Sequence, residues 1–252
     1  MSETTFKAVP TAGAPKALGS GRAQAWLDLL QGASGAVLVL FMWVHMFLVS
    51  SILLGKDAMY TVTRMLEGEF IFGRAYPALV SGVAVAVLAI FLLHALVAIW
   101  KLPGSYRQYS LFWRHSRSLR HGDTTLWLVQ VVTGLVLMFT ATIHLYDMIM
   151  HPDMIGPHAS AARVYGGTWL LDLVLMFAVE VHAGLGIYRL IIKWDLFGLT
   201  RRRLALRRVV TGIVLFYLVL GSLTFSAYMK IGAEPAVQAG ERYVPSWQQG
   251  SD

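Results

Sequence analysis

The chain has 252 residues, of which 56% are hydrophobic and only 14% charged, whereas roughly a quarter of a soluble domain is charged. It contains no cysteine, which excludes disulfides, thiolate-held metals, iron–sulfur clusters on this chain and covalent c-type haem. The net charge of +7 does not point to nucleic acid, because the basic residues gather at the ends of apolar runs, as in membrane topology.

In chain order, residues 1–22 hold Lys7, Lys16 and Arg22 among Gly, Ala and Pro, and the apolar run that follows is too long for a signal peptide. A helix needs about 20 apolar residues to cross the hydrocarbon core. Residues 29–54 supply 26 without one Asp, Glu, Lys or Arg, and residues 75–100 supply another 26. Between spans two and three, residues 106–120 alternate aromatic and basic side chains, the pattern of an interfacial or docking segment or of a solvated loop. Asp123 or Thr124 is a candidate N-cap for the third span, residues 124–146. The fourth span, residues 168–188, is long enough but contains Asp172 and Glu180, and the fifth is residues 209–229. The expected architecture is an all-α integral membrane protein: five transmembrane helices in one bundle, a single domain over residues 1–252, with no internal repeat. With the N-terminus cytoplasmic, inner segments hold 15 of the 21 Lys and Arg residues. The positive-inside rule therefore puts the C-terminus outside.

Eight histidines occur. His115, His121, His151 and His158 fall in connecting loops and read as solvated. His45, His94, His144 and His182 sit in four separate spans, where a polar residue is costly and marks a functional site by default. Any one alone reads as an interhelical hydrogen bond, but their depths pair. His45 and His144 belong to the outer half; His94 and His182 lie towards the inner side. Two histidines at one depth on different helices can grip one haem iron from opposite faces. The expectation is an outer b-type haem on His45 and His144 and an inner one on His94 and His182. Such ligation leaves no open position and suits electron transfer. Gly32, Ser34, Gly35, Gly82, Gly134, Gly184 and Gly186 admit either a flat macrocycle or close helix packing. Gln31, Lys101 and Trp127, near inner span ends, are candidate haem propionate contacts, with a membrane-interface belt as the alternative for the last two. A lipid-soluble quinol at the outer end and a partner subunit at the inner end would load and unload such a wire.

Several segments, in order along nearly the whole chain, carry a family resemblance: Phe41-Met42-Trp43-Val44-His45-Met46-Phe47, Tyr106-Arg107-Gln108-Tyr109, Arg120-His121-Gly122-Asp123-Thr124-Thr125-Leu126-Trp127, His144-Leu145-Tyr146, Phe177-Ala178-Val179-Glu180-Val181-His182 and Leu223-Thr224-Phe225. The chain resembles the dihaem cytochrome b membrane subunit of menaquinol:fumarate reductases, in the succinate:quinone oxidoreductase superfamily. The resemblance implies that His45, His94, His144 and His182 are the axial ligands. It implies a flavoprotein carrying FAD and an iron–sulfur subunit on the cytoplasmic side of a bacterial inner membrane, and a dimer of heterotrimers. It also implies that Glu67, first acid of Glu67-Gly68-Glu69-Phe70-Ile71-Phe72, accepts a proton from menaquinol. Asp172 departs from the family pattern, where an apolar or aromatic residue is expected.

Glu180 would cost several kcal/mol if ionised and unpaired in the membrane, so it should be neutral or paired. Electrons moving inwards oppose an inside-negative potential by about 2.3 kcal/mol per charge per 100 mV. A proton carried the same way cancels that cost. The resemblance gives Glu180 this relay role, against a purely structural hydrogen bond. Succinate oxidation with quinone reduction would use the same fold. The bc-type cytochrome b carries two histidines on one span, a pattern absent here. From another class, a haem-free scaffold or transporter would use Asp172 and Glu180 as an ion path, but no broken or inverted spans support it.

Overall fold

The computed structural model describes residues 21–102, 110 and 122–249. The N-terminal basic residues Lys7 and Lys16, the loop histidines His115 and His121, and all of the 106–120 connector but Ser110 lie outside the described residues. Nine helices are named here in chain order. α1 is Gly21–Val49, running on through a 3-10 turn at Ser50–Leu54; α2 is Lys56–Leu66, α3 Glu69–Phe72, and α4 Ala78–Trp100. α5 is Gly122–Met150, α6 Pro157–Arg163, α7 Trp169–Lys193, α8 Arg203–Gly232 and α9 Pro235–Gln238. Five of them, extended by the turns that adjoin them, are long and apolar enough to cross a membrane.

The helices do not stop where the apolar runs stop. α1 starts at Gly21 and α8 at Arg203, each before its apolar run, because a helix continues into water until something breaks it. α4 begins at Ala78 rather than at residue 75, because Gly73 turns the chain at φ 71° and Pro77 caps the helix. α5 is described from Gly122, and Asp123 and Thr124 lie within its helical residues. α6 leads into α7 through a π-type turn at Val164–Thr168, with Gly167 at φ 154°. That glycine kinks the fourth span, which runs from Pro157 to Lys193.

The five long helices form a ring. α1 packs on α4, α4 on α5, α5 on α7 and α7 on α8, and α8 returns to α1, which also touches α7. Their outward faces stay apolar: Val83 and Leu96 on α4 and Phe139 on α5 are exposed. Helices apolar on every face belong in lipid. α7 and α8 approach closely at Gly184, where an added Cβ would stand 2.2 Å from Val214 Cγ2.

At the end of the bundle opposite Lys101, the chain after α8 folds back over α2. The Asp57 carboxylate accepts from the Ser246 hydroxyl at 2.6 Å, the Ser246 N–H at 2.9 Å and the Tyr243 hydroxyl at 2.7 Å. These donors, the Ser246 hydroxyl foremost, hold Asp57 below the usual carboxylate range. Lys56 pairs with Glu234, and Pro245 is fully buried. The strap fixes α2, whose last turn carries Arg64 and leads into Glu67.

Candidate functional site

The ring of helices surrounds a cavity of about 1020 Å³, at the upper end of what a drug-sized ligand occupies. His45, His94, His144 and His182 all line it.

Each histidine at the Lys101 end is held from the neighbouring helix by the same device. His94 Nδ1 lies 3.2 Å from the Gln31 carbonyl and 3.2 Å from Ser34 Oγ. His182 Nδ1 lies 2.9 Å from the Gln130 carbonyl and 3.3 Å from Thr133 Oγ1. A backbone carbonyl only accepts, so Nδ1 carries the proton and Nε2 keeps its lone pair for a metal. One residue further along, a glycine makes room for each ring. A Cβ on Gly35 would stand 2.9 Å from His94 Cε1, and one on Gly134 3.0 Å from His182 Cε1. The segment Gln-x-x-Ser/Thr-Gly therefore occurs twice, on α1 and α5.

The rings pair across the cavity. The centroids of His94 and His182 are 6.4 Å apart, and those of His45 and His144 are 6.3 Å apart. A ligating imidazole nitrogen sits about 2 Å from its metal, which puts the centroids of two opposed ligands roughly 6 Å apart. Both pairs match that separation. Among the described residues no group of three or more His, Asp or Glu forms an ordinary metal site. Two opposed imidazoles instead fit a planar macrocycle that brings its own four nitrogens.

The second pair is held differently. His45 stacks on Phe41 at 5.7 Å. His144 Nδ1 faces Asp172 Oδ1 at 4.0 Å, and the Thr168 hydroxyl donates to Asp172 Oδ2 at 2.5 Å.

Gln31, Lys101 and Trp127 line the cavity at one end. Lys101 Nζ donates to Gln31 Oε1 and to Asp28 Oδ1, both at 2.5 Å, and Lys193 reaches Asp28 Oδ2 at 2.9 Å. Asp28 and Lys193 were not expected here, though Asp28 stands one turn from Gln31 on the same helix face.

Glu180 is fully buried, and among the described residues neither carboxyl oxygen has a hydrogen-bond partner. The Trp43 indole faces it just outside hydrogen-bond geometry, and Tyr217 stacks on Trp43 at 5.6 Å. Glu67 is also buried but does not line the cavity; its neighbour Leu66 does. Arg64 lies 2.6 Å from Glu69 and 3.2 Å from Glu67, so Glu69 is its closer partner. Burial raises the Glu67 pKa, and Arg64 only partly offsets this. The loop histidines differ from solvated ones only in part. His151 is exposed and paired with Asp147 at 3.0 Å, while His158 meets the Tyr243 ring edge-on at 5.1 Å.

A five-helix membrane bundle with two opposed histidine pairs on one cavity defines a multi-pass redox-type anchor rather than a soluble fold. The chain belongs to the family of fumarate reductase cytochrome b subunits. Residues 106–222 match the model of the succinate dehydrogenase/fumarate reductase transmembrane subunit. The chain is 45% identical to the fumarate reductase cytochrome b subunit of Helicobacter pylori over 223 residues, covering 88% of this chain and 87% of the relative. It is 46% identical to that of Wolinella succinogenes over 217 residues, covering 84% and 85%.

Proposed function

We propose that this chain is the membrane anchor and electron-transfer subunit of a menaquinol:fumarate reductase in a bacterial inner membrane. The observation that carries the reading is the pair of histidine pairs, spaced for one metal each and stacked along one cavity within the bundle. His45 and His144 hold an outer haem b, and His94 and His182 an inner haem b. Bound there, the haems supply one-electron transfer between a quinol and the partner subunits. Gln31, Lys101 and Trp127, with Asp28 and Lys193, form the polar end that receives the inner propionates. The whole chain works as one unit, N-terminus in the cytoplasm and C-terminus outside. An iron–sulfur subunit and a flavoprotein with FAD dock at the cytoplasmic end, and two such heterotrimers pair.

Glu67 accepts a proton from menaquinol at the outer end. Its raised pKa makes it a better base near neutrality than an ordinary glutamate. Arg64, held mainly by Glu69, orients it without fully neutralising it. Glu180 relays a proton through the bundle, its carboxyl without a hydrogen bond among the described residues and faced by the Trp43 indole.

The test is purification with native partners, a reduced-minus-oxidised spectrum, and fumarate reduction by a menaquinol analogue. A wild-type complex without a b-type band would sink the reading. Assayed in reverse, the same preparation measures succinate oxidation. For Glu67, the rate should fall as pH drops through its pKa, because the protonated carboxyl cannot accept. That acid limb should lie above the ordinary glutamate value of about 4.3. Glu67→Gln should abolish the limb and slow quinol oxidation about 100-fold, the lower end for a general base. A pH–rate profile unchanged by Glu67→Gln would remove Glu67 from this role.

A further inference from the structure

Asp172 stands beside His144, one of the two histidines assigned to the outer haem. Of the four intramembrane histidines, His144 is the one whose ring nitrogen faces a carboxylate among the described residues, at 4.0 Å. His94 and His182 have backbone carbonyls in that place. The Thr168 hydroxyl donates to Asp172 Oδ2, which leaves Oδ1 turned towards His144. Arg163, which also lines this end of the cavity, has its Nε 3.5 Å from Asp147 and donates to the Met154 carbonyl, and it lies near enough to act electrostatically on both Asp172 and His144. Asp172 and His144 both line the cavity.

An iron bound at Nε2 leaves Nδ1–H as the donor of that ring, and its acceptor tunes the ligand. We propose that Asp172, its carboxylate 4.0 Å from His144 Nδ1 and so beside that ring rather than hydrogen-bonded to it, lowers the midpoint potential of the outer haem relative to the inner one. A negative charge facing the Nδ1–H pushes more electron density through the imidazole than a neutral carbonyl does, which favours the oxidised iron. Asp172 is thus a positioning and tuning residue, acting through His144. The consequence is a downhill step from the outer site to the inner site. The inference rests on the haem assignment given above. The competing role is local: an acid in the first turn of α7 stabilises that helix end without touching the iron.

The experiment is a redox titration of the b-type absorbance in the purified complex with its partners. The wave lost in His144→Ala identifies the outer haem. In Asp172→Asn, with both haems bound, the outer wave should rise while the inner wave stays. The expected size is about tenfold in the reduced-to-oxidised ratio, 59 mV for a one-electron couple. Both waves at their wild-type positions would overturn the proposal and leave the haem assignment intact. A wild-type complex without haem b would overturn both. Should Asp172→Asn fail to assemble or lose the outer haem, Asp172→Glu decides. It restores a carboxylate on a longer arm, so its outer wave should lie at or below the wild-type position. An outer wave raised above wild type in Asp172→Glu would overturn the proposal.

Discussion

Replacing His94 with Ala should remove about half of the b-type absorbance and cut quinol:fumarate turnover ~100-fold or more, since a six-coordinate haem keeps neither its seat nor its potential on one ligand. His182→Ala should give the same result, and the double variant should be no worse than either single one. That non-additivity is the signature of two ligands acting on one iron. His45→Ala and His144→Ala should form a second such pair, removing the other half. Folding should suffer little from the lost hydrogen bonds at His94, because Ser34 Oγ also donates to the Leu30 carbonyl at 2.7 Å. His151→Ala is the control. His151 is exposed at the bundle end and pairs only with Asp147 among the contacts described, so haem content and turnover should be unchanged. A His94→Ala complex with full haem content would refute the pairing.

Replacing Glu180 with Gln should keep both haems and slow turnover at least about tenfold, equivalent to 1.4 kcal/mol or more of barrier. Each electron driven inwards costs about 2.3 kcal/mol per 100 mV, and two move per fumarate reduced. Without a compensating proton that cost falls on the redox reaction. Glutamine keeps the size of the side chain and removes the proton it can load. The defect should be deeper in sealed vesicles than in detergent, and an ionophore that collapses the potential should relieve part of it. A structural role predicts otherwise: an amide in a pocket whose carboxyl already lacks partners would disturb assembly, not voltage dependence. Equal turnover of wild type and Glu180→Gln in sealed vesicles would exclude the relay.

These two experiments address different parts of one physical problem. The first tests the electron path proposed for the histidine pairs, and the second tests the proton movement proposed for Glu180. The roles proposed for Glu67 and Asp172 concern the outer end, the quinol proton and the outer potential.

Much of this was legible in the residues alone. Hydrophobic length is summed along the chain, so five spans follow from counting, and the cost of a polar group in lipid singles out the four histidines, Asp172 and Glu180. Depth is also local, at 1.5 Å per residue, and it suggests which histidines can meet. What counting cannot supply is rotation about each helix axis. That is set by how helices distant in sequence pack, and it decided that Gly35 and Gly134 clear space for histidine rings while Gly184 serves contact with α8. Rotation also set the carbonyls of Gln31 and Gln130 against Nδ1 and placed Asp172 beside His144. The sequence by itself determined the five crossings and the polar residues they carry. Only the tertiary structure decided what each of those residues faces, because a side chain's partner in a bundle lies on another helix.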